Sequence, residues 1–308
     1  MNGLERRLTF YRWHSLDGRP PFDRIAAAGA VDALPDDANR KLPRGEFAAD
    51  VLVQSAGGPG APTLMSLLRL RDYENRPWLR APGELPEPAQ MRREQDLVDF
   101  AQTAIWEDGY AAFAQGGHAP PPSGLVDFLA RRVRQHVCFS ALYESDVVER
   151  LRNWRGIRSV SLVLSNSQTV QDEINARLGP FEGLLAQLRG QPDSVILRQE
   201  ITVPRRGRGA RSNVLSNVST EDVVRLAEVA EAFDTFQVSG ISPAGRIERL
   251  DLIRQRIQVT VRLPRAREGG HRTSDEETFE ALLAARRQLD ADGRLETAVE
   301  AAPLAESE

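Results

Sequence analysis

Residues 103–129, TAIWEDGYAAFAQGGHAPPPSGLVDFL, decide the fold class. The apolar stretch TAIW runs into Glu107-Asp108-Gly109, a turn tripeptide, and resumes as YAAFAQ, so the segment predicts a β-hairpin. The Gly/Pro-rich GGHAPPPSG then ends the strand signal. Leu125, Phe128, Leu129 and Val133 follow at helical spacing, with Ser123 placed to cap them. A hairpin leading into an amphipathic helix is the joint of an α+β protein.

Upstream, the sequence reads as strands. LTFYRW (8–13) alternates with a period of two, and DVLVQSA (50–56) and LMSLLRLR (64–71) flank the turn signal GGPGAP. Between them, 16–46 is a Pro/Gly/Asp-rich stretch with no element predicted, and RPWLRAPGELPEPAQ (76–90) reads as a loop carrying Trp78. Downstream, strand and helix alternate: VCFSALY (137–143), VVERLRNW (147–154), IRSVSLVLSN (157–166), two helical stretches within 169–190, and SVILRQEITV (194–203). A helix opens after Ser219, with Asp222 three residues on. TFQVSGI, RIERLDL and QRIQVTVRLP predict a C-terminal antiparallel meander whose first turn is Pro243-Ala244-Gly245. A final helix starts near Ser274, where SDEE sets three carboxylates at the positive end of its dipole. The expected organisation is a small N-terminal β-rich domain at 1–120, an α+β domain at 121–299 and an acidic disordered tail at 300–308. At 308 residues, the chain exceeds the roughly 250–300 at which one hydrophobic core stops growing.

Composition narrows the function classes. A hydrophobic fraction of 41% supports a packed core, and a net charge of -4 gives no bulk attraction to polyanions, so any such site must be local. No apolar run reaches the ~18 residues of a membrane span, and the N-terminus lacks a signal-peptide core, which predicts a cytoplasmic protein. The single Cys138, inside an apolar run, reads as a small buried residue, with His136 beside it on the strand and facing the same side.

Catalytic signatures are missing. His14, His118, His136 and His271 show no metal-ligand spacing with one another or with the cysteine. GGPGAP lacks the Gly-Lys-Ser/Thr ending of a phosphate loop, and no GxSxG elbow occurs. Lys41, the only lysine, lacks the acidic partners of a nuclease core, and Glu107 and Asp108 read as turn residues. The expectation is a non-enzymatic protein without metal or cofactor.

Charge placement remains. PRRGRGARS (204–212) follows a strand directly; between Arg198 and Asn213 five arginines face one acid, Glu200, a local charge of +4. Guanidinium forks suit phosphate oxygens, and the interspersed glycines let the backbone follow a sugar-phosphate chain. The other reading is a solvated loop. RRVRQ (131–135) decorates the predicted helix, with Arg131 and Arg134 on one face and Arg132 off it, and RLPRAR (262–267) ends the last strand. Arg205, Arg206, Arg208 and Arg211 are therefore the candidate nucleic-acid contacts, supported by Arg131, Arg134, Arg265 and Arg267. From Asp290 onward six acids oppose one arginine, a counterweight of -5.

The order of these features resembles the RexA family of lambdoid phage exclusion proteins, whose fold is in turn similar to the recombination-associated protein RdgC. The resemblance begins at the Phe10-Tyr11 strand. It continues through IWEDGYAAFAQGGHAPPPSGLVDFL, the strands VCFSALY and SVSLVLSN, and SVILRQEITVPRRGRG, and closes with the meander and last helix. It implies a homodimer flanking a basic channel that takes double-stranded DNA with little sequence preference, in phage exclusion or another antiphage response. A membrane or effector protein encoded nearby would be a further partner. The alternative is a protein-interaction subunit of a defence system that recruits an effector through the Trp78 loop. The chain departs from the family in its net acidity and near-absence of lysine.

Overall fold

The computed structural model describes residues 4–16, 18–35, 40–44, 47–71, 78–79, 87–88, 97–115, 120–165, 196–203, 214–216, 218–228, 235–264 and 275–300. The protein is α+β, with a large antiparallel sheet and a long C-terminal helix. It divides into two compact units interleaved along the chain. The first spans Met1–Leu8, Trp13–Phe139 and Val259–Ala285; the second spans Thr9–Arg12, Ser140–Gln258 and Arg286–Glu308.

The strands in chain order are β1 (Leu4–Ser15), β2 (Leu42–Arg44), β3 (Phe47–Ser55), β4 (Thr63–Arg71), β5 (Trp78–Leu79), β6 (Glu87–Pro88), β7 (Leu97–Ile105), β8 (Tyr110–Gln115), β9 (Val137–Tyr143), β10 (Gly156–Ser165), β11 (Ile196–Thr202), β12 (Thr235–Ile241), β13 (Ile247–Asp251), β14 (Gln258–Leu263) and β15 (Val299–Glu300). In the first unit β8, β7, β4, β3 and β2 lie side by side in that order, each pair antiparallel. The hairpin of residues 103–115 is present as β7 and β8, closed by the predicted turn, with Trp106 N–H donating to Tyr110 O at 2.9 Å. Residues 101–105 and 111–114 are buried throughout, so this part of the sheet is covered on both faces, with Phe113 meeting Phe139 edge-on at 5.1 Å.

Several expectations are corrected. Leu8, Thr9, Phe10 and Tyr11 are all buried, so β1 does not alternate there as its sequence pattern suggested. The stretch 16–46 contains a helix, Arg24–Asp32, capped by Asp23, whose carboxylate accepts from the Ile25 and Ala26 N–H groups. Its Ala27, Ala28 and Val31 are buried and the helix packs on β3. Between β5 and β6, the 76–90 stretch includes a short antiparallel pairing, Trp78 opposite Pro88. Ser123 caps nothing: the helix is Pro122–Phe128 with Pro121 at the cap, and proline, its φ preset and its missing N–H harmless at that end, starts the helix without a side-chain cap.

The second unit holds a four-stranded sheet in the order β11, β10, β12, β13. Val160, Leu162, Phe236, Val238 and Leu250 are among its buried positions, and Gln237 and Arg249 are exposed on alternate positions, although Ser239 on the same strand as Gln237 is buried. The helices Ser145–Arg152 and Thr220–Glu228 pack against each other. The predicted cap at Ser219 is present as a reciprocal box: its hydroxyl accepts from Asp222 N–H at 3.1 Å while its own N–H donates to Asp222 Oδ2 at 2.8 Å. Ser219→Ala should cost about 1 kcal/mol in denaturant unfolding, the usual worth of such a cap.

The C-terminal meander is only half as expected. β12 and β13 pair across the Pro243-Ala244-Gly245 turn, with Gly245 N–H donating to Ser242 O at 2.8 Å. β14 instead pairs with β1. The chain between β13 and β14 turns away first, with Leu252 N–H returning to Phe236 O and Ile257 N–H reaching Leu142 O at 2.8 Å. The helix expected to be the last, Asp275–Ala291, begins where SDEE predicted, with Asp275 accepting from Gln102 Nε2 at 2.7 Å, but a short helix, Arg294–Thr297, follows it. The two helical stretches within 169–190 and the tail 301–308 lie outside the described residues. Among those described, no helix is long and apolar enough to cross a membrane.

Candidate nucleic-acid interface

The basic segment at 204–212 itself lies outside the described residues, together with Arg205, Arg206, Arg208 and Arg211. Its two stems do not. At the entry, Val203 N–H donates to Arg158 O at 2.9 Å, and at the exit Leu215 N–H donates to Ile157 O at 2.7 Å. Both ends are therefore pinned to consecutive residues of β10. Val203 directly follows β11, an edge strand of the sheet. The exit is tightly packed: a Cβ on Gly156 would sit 2.7 Å from Val214 Cγ1, so Gly156 permits the approach that brings the stem in.

Beside these anchor points lie two arginines that sequence reading did not single out. Arg155 is exposed and its N–H donates to Ile241 O at 2.7 Å; Arg158, half-buried, is the residue left over where the β10–β12 register shifts. With Arg152, also exposed, they repeat every third residue in RNWRGIRS, a signal that was available. The nearest described acid on β11 is Glu200, exposed and opposite Ser161.

The other two basic runs belong to the first unit. After Phe128 the helix widens into a π-helical turn, Leu129–Val133, which ends at Arg134 in the left-handed conformation with φ 56°. Gln135 N–H reaches back to Leu129 O at 3.0 Å to close it. Arg131 and Arg134 are exposed, but they do not share a helical face as expected, because the wider turn and the left-handed residue carry Arg134 off the helical path. Arg132 is half-buried and donates through Nη2 to Lys41 O. It fastens this turn to the segment around the only lysine.

At the third run, Arg262 lies on β14 and pairs with Glu5 Oε1 at 3.2 Å, with both side chains mostly exposed. Arg265 and Arg267 lie outside the described residues. The pairing of β14 with β1 adds Arg6 and Arg7, two residues from Glu5 or nearer. Arg7 is exposed; Arg6 is half-buried, and desolvation pulls its guanidinium below its ordinary pKa. The long-range strand pairing that gathers these residues has no local sequence signal.

Cys138 is half-buried, not buried as expected, since it falls on the one position of β9 that is not closed off. His136 precedes the strand, also half-buried. Among the described residues no group of three or more His, Cys, Asp or Glu could hold a metal ion. The arrangement on view is one of charge: Arg155 and Arg158 lie on β10 or beside it, where the two flanks of the basic segment are held. No protein-family model matches the sequence, and no curated protein matches it.

Proposed function

We propose that the protein binds double-stranded DNA through the segment 204–213, as a homodimer and without reading base sequence, in a phage-exclusion or other antiphage response. The observation that carries the binding reading is the pair of flanks: Val203 and Leu215, on either side of the arginine-rich segment, are held on Arg158 and Ile157, where Arg155 and Arg158 add two further arginines. Phosphate contacts position a protein without specifying bases. The biological setting and the dimer rest on the resemblance to the RexA family. Arg131, Arg134, Arg265 and Arg267 are supporting contacts in this reading.

Neutralising about six phosphates makes affinity for a duplex fall on the order of a thousandfold between 50 and 200 mM salt. Fluorescence anisotropy with two unrelated duplexes at those salt concentrations should show this fall for both. Replacing Arg205, Arg206, Arg208 and Arg211 together by glutamine should lower the slope of log affinity against log salt by about four. Absence of binding at low salt, or a slope unchanged in the quadruple variant, would refute the proposal.

A further inference from the structure

In the first unit, a cleft of about 350 Å³ opens where the end of β1, the start of the helix Arg24–Asp32, the GGPGAP turn and the β7–β8 turn meet. One wall is aromatic and fixed. Trp13 donates its indole N–H to Trp106 O at 2.8 Å, and Phe22 meets the Trp13 ring edge-on at 5.3 Å. Phe22 is anchored in turn by its own N–H, which donates to Ser15 Oγ at 2.8 Å. Ile25, 40% exposed, and Pro59 extend the apolar lining.

The polar groups at the cleft have unequal freedom. Arg24 is only 5% exposed and is spent on protein partners: Nη1 donates to Thr63 Oγ1 at 3.0 Å and Nη2 to Gly58 O at 2.8 Å. The two carboxylates are not spent. Asp23 uses Oδ1 for both capping N–H groups, and Glu107, 70% exposed, uses Oε2 toward Arg24 at 3.7 Å and Gly60 N–H at 3.3 Å. Among the described residues, neither Asp23 Oδ2 nor Glu107 Oε1 has a hydrogen-bond donor.

We propose that this cleft is a docking pocket for one basic side chain, an arginine or lysine, of a partner protein. Charge complementarity selects it. The lining carries two carboxylates against one guanidinium, so an anion is repelled. A wholly apolar ligand would cover the carboxylates without replacing their water, which is costly. A basic side chain meets both demands at once, its aliphatic stem lying along Ile25 and Pro59 and its cationic head meeting the aromatic wall and the free carboxylate oxygens. The volume lies at the small end for ligand sites, enough for one long side chain.

The test uses the full chain without DNA, so its result is separate from that of the DNA-binding proposal. N-acetyl-arginine amide and its neutral isostere, N-acetyl-citrulline amide, are titrated while the Trp13 indole N–H resonance is followed, assigned through W13F. The arginine compound should shift that resonance saturably in the millimolar range, with citrulline at least about tenfold weaker, the loss of a desolvated cation–π contact and its ion pair. E107Q removes a charge from an exposed side chain. D23N keeps the cap, since asparagine caps as well as aspartate. At least one of them should weaken the arginine compound by about threefold or more, as loss of a partly exposed ion pair does. Equal affinity for the two compounds, no shift of Trp13, or affinity unchanged in both variants would overturn the proposal.

Discussion

Gly240→Ala lowers the stability of the second unit by on the order of 3 kcal/mol, the upper end of the range for overpacking a filled core. Gly240 lies inside β12, opposite Ile157 on one side and Glu248 on the other. A Cβ there would stand 2.0 Å from Trp154 Cε3 and 2.6 Å from Cδ2, far short of the 3.4–4 Å of ordinary van der Waals contact. Trp154 cannot easily withdraw. It is 5% exposed, it follows directly on the end of the helix Ser145–Arg152, and its indole N–H points to Glu248 Oε2 at 3.3 Å. The strand cannot move either, because both of its edges are hydrogen-bonded. Guanidinium unfolding followed by tryptophan fluorescence measures the loss. Combining the change with Trp154→Leu should cost less than the sum of the two single variants, since the smaller side chain makes room for the new methyl. A Gly240→Ala variant within about 0.5 kcal/mol of the parent would show that the ring shifts freely.

What was legible in the sequence was local. The β7–β8 hairpin, the Ser219–Asp222 cap and the start of the helix Asp275–Ala291 each depend on residues within a few positions, and each stands where the pattern put it. The helix Arg24–Asp32 went unread because RIAAAGAVD is poor in large apolar residues and sits behind Pro20 and Pro21, although Asp23 offered a cap signal. Ser123 misled for the same kind of reason: two residues upstream, Pro121 ends the extended chain and Pro122 starts the helix without any side-chain cap. The partner of β14 was illegible in a different sense. Alternation predicts a strand but not its neighbour, and the residues that pair with it are about as far away in sequence as the chain allows. The candidate interface divides along the same line. PRRGRGARS could be read as a basic run after a strand, but the anchoring of its flanks, the Val203 and Leu215 N–H groups landing on adjacent carbonyls of β10, is tertiary. The cleft at Trp13 is wholly of this second kind. Glu107 was read correctly as a turn residue, and its place beside Arg24 follows only from the packing of β7 and β8 against the GGPGAP turn.

That packing leads to the other large effect. Arg24→Met should destabilise the first unit by about 3 kcal/mol, because it removes two charge-assisted hydrogen bonds from a buried site. Arg24 joins three segments: its own helix, the GGPGAP turn through Gly58 O, and β4 through Thr63 Oγ1. Thr63 keeps a partner after the change, since its hydroxyl still donates to Ala56 O at 2.8 Å. Gly58 O also keeps a donor, the Ala61 N–H at 3.1 Å, so the cost is that of the lost strut between the helix, the turn and β4 and not of an orphaned acceptor. Arg24→Lys should give an intermediate loss, because an ammonium is a point donor and cannot span both acceptors as the guanidinium fork does. Glu107→Gln separates this strut from the ion pair beside it. The pair is long, at 3.7 Å, and Glu107 is 70% exposed, so solvent screens it and the variant should stay within about 0.5 kcal/mol of the parent in the same unfolding measurement. A Glu107→Gln loss as large as that of Arg24→Met would mean that the ion pair holds the turn. The expected contrast, a costly arginine beside a dispensable glutamate, leaves the Glu107 carboxylate free for the basic side chain that the cleft is proposed to receive.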